Sequence, residues 1–357
     1  MGVEGGFQMA NGVDYGVGEG GVARESSPAF ERGGVPVTMD NVVRAETAKY
    51  FSEETLKSGP NRFRHERKGI LLDAQTVIRS NFDQIYSYGV FDASKGLTVT
   101  IPEYDYLQLV QVFDENHVTL EVVYPGKTAR ISPEDMTYGS HVYLFMRTQP
   151  PSYDAHGMAL MRDRQDSVVV DAGSARSYAP DVTYDLESFN AVRIDLIRRA
   201  VEEVAQPHLG FVERLEDINT PQYQMVNLAG WGGLPVRHAH YIPIEVTDTR
   251  ALAGAPSSMT FAPPELRYDE GGYWSMTIYS EDGWVVTERF NTNSHRATPN
   301  PDGTYTLTFN GEGEATNPLD VPENWNGLLR CYLPTSVEGV LAFQEDLGAN
   351  HPVVPMA

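Results

Sequence analysis

Short runs in which apolar and polar residues alternate cover most of the chain, and each run predicts a β-strand. Between positions 69 and 148 the runs are separated by Gly, Pro, Asp and Asn, and no helical period interrupts them. The pattern returns after Met225, where it predicts strands at 238–246, 273–279, 284–287, 304–309 and 328–333. Strands that follow one another without helices predict antiparallel pairing in a sandwich or a barrel.

Two segments carry a helical period instead. The first, at 38–57, has an apolar stripe that Glu46 weakens, because this residue falls at the edge of the stripe. The second, at 185–206, places apolar residues on one face and charged residues on the other, although Arg193 falls on the apolar side. We interpret the second segment as a helix that bridges two β domains.

The length of 357 residues is too great for one typical core and predicts two domains. We predict a mainly β protein with two antiparallel β-sandwich domains of jelly-roll type and a few helices. The predicted boundaries are a glycine-rich flexible arm at 1–35, an N-terminal sandwich at 36–180, a bridging helix and linker at 181–224, and a C-terminal jelly roll at 225–357. Residues 16–21 match G-x-G-x-x-G, but no strand precedes them, so we reject a dinucleotide site there.

Charge and cysteine content exclude several classes of protein. The formal net charge of -22 argues against nucleic acid or an anionic membrane as a partner. Cys331 is the single cysteine, so no disulfide forms within the chain, and its apolar neighbours predict a buried strand residue. The sequence shows neither a membrane-spanning apolar stretch nor a signal peptide. We therefore expect a soluble protein and leave its compartment unassigned.

A polar run inside the segment QTVIRSNFDQIYSYGVFD, at 75–92, is the main candidate for chemistry. Arg79, Asn81 and Asp83 stand between strand-like flanks, where a buried charge needs a partner. The sequence leaves two interpretations open. Either these side chains satisfy one another as a structural knot, or they face a cavity and contact a ligand.

Histidines and a tryptophan supply weaker candidates. His238 and His240 would share one face of a strand, but no third metal ligand stands at a recognisable spacing, so we predict no metal and keep them as weak candidates only. His117 either joins a carboxylate in acid–base work or lies in a polar turn. Trp231, among three glycines, either stacks on a sugar or fills a domain interface. The many paired carboxylates, such as Asp114 with Glu115, we assign to solvated faces.

Three motifs in order resemble a known family. They are QTVIRSNFDQIYSYGVFD, GGYWSMTIYSEDG and ENWNGLLRCYLP. The chain resembles bacterial and viral proteins that pair two domains of unknown function, numbered 1254 and 1214. The resemblance implies two jelly-roll sandwiches and supplies no reaction. The residues that match the family pattern are Arg79, Asn81, Asp83, Tyr86, Ser87, Trp274, Ser275, Thr277, Tyr279, Arg330 and Tyr332.

Two functional hypotheses follow. The first is an enzyme or a binding protein for a small polar or carbohydrate-like ligand at the seam of the domains. Its ligand-binding residues would be Arg79, Asn81, Asp83, Tyr86, Trp231 and Trp274, and its catalytic candidates are Asp83, Arg79 and His117. The second is a structural or assembly module whose jelly rolls form a homo-oligomer. No cofactor is assigned under either hypothesis.

Overall fold

The computed structural model describes residues 27–69, 72–75, 79–203 and 205–356. These form two compact units. The N-terminal unit comprises the described residues 27–69 and 83–235, and the C-terminal unit comprises 72–75, 79–82 and 236–356. Most of the predicted arm at 1–35, including the G-x-G-x-x-G match, lies outside the described residues. Residues 181–224, expected to connect two domains, fall within the N-terminal unit.

The N-terminal unit contains two main sheets. Its described strands are β1 (Phe30–Glu31), β2 (Arg64–His65), β3 (Ile85–Asp92), β4 (Leu97–Ile101), β5 (Gln108–Phe113), β6 (Thr119–Val123), β7 (Lys127–Ile131), β8 (His141–Thr148), β9 (Val169–Ala172) and β10 (Tyr184–Asp185). One antiparallel sheet has the order β2-β3-β8-β5-β6, and the other has the order β7-β4-β9. Strands β1 and β10 form a separate parallel pair.

Alternation along the strands decides which side of the five-stranded sheet is apolar. On β5, Val110 and Val112 point to one side, whereas Gln111 and Phe113 point to the other. The first side shares a single apolar core with the three-stranded sheet. Burying such side chains contributes about 25 cal/mol per Å² of apolar surface, so this core is a main source of stability in the unit.

Some of the helices of the N-terminal unit cover the opposite side of the five-stranded sheet. The N-terminal unit has α1 (Val42–Ser58), α2 (Ala155–Ser167), α3 (Leu186–Glu202), α4 (Pro207–Gly210) and α5 (Thr220–Ala229). Helix α1 lies against β3, α3 and α5. The helices predicted at 38–57 and 185–206 are therefore present, with slightly shorter bounds.

Two charged residues that disturbed the helical patterns pair with each other. Glu46 on α1 and Arg193 on α3 are 0% and 1% exposed at their side chains, and Arg193 Nε donates to Glu46 Oε2 over 3.1 Å. A buried charge without a partner is costly, so each residue requires the other. The pair ties α1 to α3 across 147 positions of sequence.

The C-terminal unit contains two four-stranded sheets. Its strands are β11 (Ala239–Ile244), β12 (Ser257–Phe261), β13 (Tyr273–Tyr279), β14 (Asn291–Asn293), β15 (Tyr305–Phe309), β16 (Pro318–Leu319), β17 (Asn326–Tyr332) and β18 (Val354–Pro355), and its helices are α6 (Thr249–Leu252) and α7 (Val337–Asn350). The sheet orders are β11-β17-β13-β14 and β16-β15-β12-β18. Both sheets and α7 contribute to one apolar core.

One predicted strand is wrong. Residues 284–287 were expected to form a strand, but they form none. A turn precedes them, in which Gly283 N donates to the Ser280 carbonyl over 2.8 Å. Beyond it, the Gln75 side chain takes the place of a strand neighbour. Its amide accepts from Val285 N over 3.0 Å and donates to the Val285 carbonyl over 2.7 Å.

Across the described residues the chain therefore has eighteen strands in five mostly antiparallel sheets, with seven α-helices. This confirms the prediction of a mainly β protein. None of the described helices is both long and apolar enough to cross a membrane.

Candidate functional site

The segment around Arg79 is held through its main chain by strands of the C-terminal unit. Arg330, only 3% exposed, donates from Nη2 to the Arg79 carbonyl over 2.8 Å. The Tyr279 hydroxyl donates to the Ser80 carbonyl over 2.8 Å and accepts from Arg330 Nη2 at the same distance. These bonds fix the path of the backbone, and Arg79 itself adopts a left-handed φ of 48°. They favour the structural interpretation of this segment.

The predicted polar run is divided between the two units. Asn81 belongs to the C-terminal unit, where its Nδ2 donates to the Tyr332 hydroxyl over 2.7 Å. Asp83, which is 1% exposed, and Tyr86, on β3, belong to the N-terminal unit. The boundary between the units follows Phe82.

Arg147 is a buried cation on the helix-covered side of the N-terminal sheet. Its Nη1 donates to Gln111 Oε1 over 2.9 Å, and its Nη2 donates to the Gly232 carbonyl. The guanidinium lies 4.1 Å from the centre of the Phe145 ring and 6.0 Å from that of Tyr86, within the range of cation–π attraction. These contacts anchor the glycine-rich segment after α5 to the sheet.

Trp231 lies inside the N-terminal unit. One face of its indole stacks on Tyr50, with ring centres 4.0 Å apart, and its Nε1 donates to Thr47 Oγ1 over 3.2 Å. Tyr143 meets the ring edge-on at 5.0 Å. Gly232 adopts a φ of 82°, which favours glycine and lets the chain turn immediately after the tryptophan. Trp231 thus joins α1 to the sheet, and Tyr50 covers the face that a sugar would need.

His117 is a buried structural residue of a turn. A polar turn was one of the two predictions for His117. This turn is present, since His117 N donates to the Asp114 carbonyl over 2.9 Å. Gly232 N donates to His117 Nε2 over 2.9 Å, so the neutral ring carries its proton on Nδ1. Burial lowers the pKa of His117 to about 3, and the Asn227 contact offsets this only in part. The ring stays neutral near pH 7, which argues against acid–base work.

Trp274 occupies the core of the C-terminal unit. It is 0% exposed and packs edge-on against Phe261 and Tyr305, with ring centres 5.2 and 4.9 Å away. Its alternation partners Met276 and Ile278 share this core. Trp274, which the sequence analysis names as a ligand-binding candidate, therefore lies in the packed core of this unit.

The paired histidines have protein partners. Arg237 Nε donates to His238 Nε2 over 3.1 Å, and His240 Nε2 bonds to Gln344 Oε1 on α7. His240 stands opposite Cys331, whose thiol is buried and has a raised pKa for that reason. No group of three or more His, Cys, Asp or Glu side chains placed to hold a metal ion is found among the described residues.

A pocket of the N-terminal unit brings together titratable groups that sequence reasoning did not connect. It has a volume of about 10 Å³, close to the space that one water molecule needs. It is partly open to solvent. Its polar lining comes from Arg44, Glu115, Tyr138, Tyr178, Asp181 and Tyr184.

Hydrogen bonds hold the Glu115 carboxyl group at this pocket, which we call the Glu115 pocket. Ser140 N donates to Glu115 Oε1 over 3.1 Å, and the Tyr178 hydroxyl lies 3.4 Å from Oε2. Gly139 has a φ of 73°, and a Cβ there would lie 1.9 Å from Glu115 Oε1. Any larger residue at 139 would displace the carboxyl group. The glycine therefore permits the position of Glu115.

The surroundings of Glu115 shift its ionisation toward neutral pH. Burial raises the pKa of the carboxyl to about 7, and the charge of Asp181 acts in the same direction. Backbone hydrogen bonds from Ser140 and His141 partly oppose the shift. Both protonation states are populated near pH 7, which is the condition for a group that donates and accepts protons.

Arg44 and the tyrosines complete the pocket. The Arg44 guanidinium lies 4.7 Å from the centre of the Tyr138 ring. Burial raises the pKa of Tyr184 to about 12 and that of Tyr178 further, so both phenols stay protonated. The pocket thus offers one cation, neutral hydroxyl groups and a titrating carboxyl.

An ion pair positions the segment that carries Tyr178 and Asp181. Asp92, whose side chain is fully buried, accepts from Arg176 N over 2.9 Å and from Arg176 Nε over 3.1 Å. Burial opposes ionisation of Asp92, but hydrogen bonds from Arg176 and Ser94 outweigh it and lower the pKa of that carboxyl. Arg176 Nη2 also donates to Ser140 Oγ over 2.9 Å. One arginine therefore links the lining segment to the loop that cradles Glu115.

Sequence reasoning assigned Asp114 and Glu115 to a solvated face, and the structure buries both. Glu115 is 8% exposed. The sequence does contain one indication that these carboxylates are buried, which is that the polar turn Asp-Glu-Asn-His lies between two strongly apolar strands. Its partners at 138–141 and 176–184 lie far along the chain, so spacing alone does not reveal them.

Comparison with known proteins identifies the fold alone. No protein-family model matches the chain, and no curated protein matches it. The crystal structure of the VPA0106 protein from Vibrio parahaemolyticus is similar, with a TM-score of 0.62 and 15% identity over 89% of this chain and 98% of that one. An uncharacterised protein from Burkholderia cenocepacia aligns with a TM-score of 0.45 and 13% identity, over 84% of each chain.

Proposed function

We propose that the N-terminal unit binds a small polar molecule at the Glu115 pocket and that Glu115 exchanges a proton with it as a general acid–base group. The observation that supports this is a buried carboxyl group, with a pKa of about 7, in the wall of an open pocket. Since the pocket holds about one water-sized group, the ligand inserts a single hydroxyl or amino group. Arg44 is placed to meet negative charge that develops there.

The proposal is tested with a panel of small alcohols, amines and hydroxy acids, using ligand-detected NMR at several pH values. We expect saturable binding whose pH dependence has a midpoint near 7. Glu115→Gln keeps the shape and removes the ionisation, so we expect affinity to fall about tenfold or more, or about 1.4 kcal/mol. Glu121→Gln is the matched control, because Glu121 is an exposed residue of β6 in the same unit.

Equal binding by the Glu115→Gln and Glu121→Gln proteins would contradict the proposed site. Binding with an unchanged affinity from pH 5 to pH 9 would contradict the acid–base role while leaving a binding role intact.

A second candidate function is a structural or assembly module without catalysis. It is favoured by the hydrogen bonds that Arg330 and Tyr279 make to the carbonyls of Arg79 and Ser80. These bonds fix the main chain at Arg79 and Ser80, as expected for a structural role. Under this function no member of the panel binds at any pH. The oligomeric state of the chain would then be the property to measure.

We also propose that both units are jelly-roll sandwiches and that the chain is related to the proteins pairing the domains numbered 1254 and 1214. Two sheets share one apolar core in each unit, as a sandwich requires. Residues of two matched motifs also lie side by side, since Ser275 on β13 stands opposite Arg330 on β17. A set of homologues in which these residues co-occur would support the relationship.

A further inference from the structure

The C-terminal unit has a larger cleft that none of the arguments above uses. Its volume is about 530 Å³, within the range of about 300–1,000 Å³ that small-molecule sites occupy. Residues of β14, of the turn after it and of the chain leading into β16 line it. They are Asn291, Thr292, Arg296, Thr298, Ala315, Thr316, Asn317 and Pro318.

Side-chain amides hold the walls of this cleft in place. Asn317 Oδ1 accepts from Thr298 N over 2.7 Å, and Asn317 Nδ2 donates to the Thr298 carbonyl over 3.0 Å and to the Thr306 carbonyl over 2.9 Å. Asn291 Nδ2 donates to the Met276 carbonyl over 3.1 Å. These bonds connect one wall to the other and to β13, so the site is preorganised.

The lining has one charge and several neutral hydrogen-bonding groups. Arg296 is the charged residue among the described lining residues, and its Nη2 donates to Asn291 Oδ1. The guanidinium has five donors in a planar fork, which matches a carboxylate. Thr298 and Thr316 are exposed, so their hydroxyl groups suit a hydroxylated ligand.

The surrounding charge narrows the choice of ligand. The chain has a formal net charge of -22, and Glu312 and Glu314 are exposed just before the lining segment. Arg296 is therefore a single positive charge in acidic surroundings, and the amides and hydroxyls must contribute to specificity. We propose that this cleft binds a small hydroxylated carboxylic acid, with Arg296 on its carboxylate.

The test titrates the full chain with gluconate, glucuronate, glucose and glucose 6-phosphate, using ligand-detected NMR. We expect saturable binding of gluconate or glucuronate and at least about tenfold weaker binding of glucose. Arg296→Gln should weaken carboxylate binding about tenfold or more, and Arg296→Lys should weaken it less. Arg267→Gln is the control, since Arg267 pairs with Glu270 at the surface of the same unit and is not in the lining.

Four results would overturn the proposal. Three of them are equal binding of glucose and glucuronate, carboxylate binding that Arg296→Gln leaves unchanged, and the absence of saturable binding by either carboxylate. Tighter binding of glucose 6-phosphate than of both carboxylates would also overturn it and would indicate a phosphate site. Thermal unfolding of each variant is the check that the variant protein is folded. Glu115→Gln should leave this binding unchanged, so failure here is distinct from failure of the proposed function.

Discussion

The helix-covered side of the N-terminal five-stranded sheet and the core of the C-terminal unit differ in what they bury. In the C-terminal unit, Trp274, Met276 and Ile278 point from β13 into an apolar core. In the N-terminal unit, α1 buries the charged residues Glu46 and Lys49. The difference shows that one fold class accommodates two kinds of interior. An apolar core needs only the right alternation, whereas a charged interior needs specific partners from distant segments.

The buried charges of α1 in the N-terminal unit have partners within the same unit. Glu46 bonds to Arg193, and the Lys49 amine lies 4.1 Å from the centre of the Tyr50 ring. Burial opposes the charged form of Lys49, but neighbouring Tyr50 and Glu46 outweigh it and raise its pKa. Tyr50 in turn stacks on Trp231. The helix layer is therefore one connected arrangement of charges and rings, unlike the apolar core of the other unit.

The largest effect should come from breaking the buried ion pair. Arg193→Met removes the hydrogen-bonded partner of the buried Glu46 carboxylate and leaves only the neighbouring charge of Lys49, and we expect the free energy of unfolding to fall by about 3–5 kcal/mol. Combining Arg193→Met with Glu46→Leu removes both charges, so we expect much of the loss to be recovered. Urea unfolding of the single and double variants measures both changes.

A surface pair in the C-terminal unit is the control for this experiment. Arg289 Nε donates to Asp320 Oδ1 over 3.0 Å, but the Arg289 side chain is 53% exposed. Solvent screens this pair, so Arg289→Met should cost much less than Arg193→Met. Equal losses for Arg193→Met and Arg289→Met would show that the comparison between the units is mistaken.

A smaller and pH-dependent effect is expected at Asp92. Its folded pKa is lowered, so its contribution to stability is present above the unfolded pKa of 3.8 and is lost as the pH falls below that value. Asp92→Asn should therefore cost about 1.5–3 kcal/mol at pH 7, as expected for a hydrogen bond to a charged group. Unfolding free energies of both proteins at pH 3 and pH 7 measure this.

The cost of Asp92→Asn should shrink as the pH approaches 3. Unfolding of the wild-type protein then binds a proton at Asp92, which lowers the contribution of this carboxylate to the free energy of unfolding. A cost that stays constant between pH 3 and pH 7 would contradict the assignment of a depressed pKa. The pair lies beside the Glu115 pocket, so the variant also tests whether Arg176 holds that pocket in shape.

Alternation predicted most of the sheets, because a strand that is buried on one side must place its apolar residues two apart. It failed at 284–287, where the Gln75 side chain replaces a strand partner. The charges at Glu46 and Arg193 disturbed both predicted helices, and the disturbance was itself the signal of their pairing. Sequence separation of 147 residues concealed that partnership.

The candidate site was harder to predict than the fold. Arg79 and Asn81 stood out as a polar run, yet their role depends on Arg330 and Tyr332, which the sequence places far away. Glu115 did not stand out, because paired carboxylates are common in an acidic chain. Its raised pKa depends on burial and on Asp181, neither of which spacing determines.

The most direct test of the proposed acid–base site is the titration of Glu115 by ¹³C NMR, with Glu115→Gln assigning the resonance. The raised pKa means that the group stabilises the fold below about pH 4.5 and that this contribution, about 3 kcal/mol, is lost as the pH rises to about 7. We predict a carboxyl midpoint near 7 that moves when a ligand binds. A midpoint near 4.5, the ordinary value, would contradict the account.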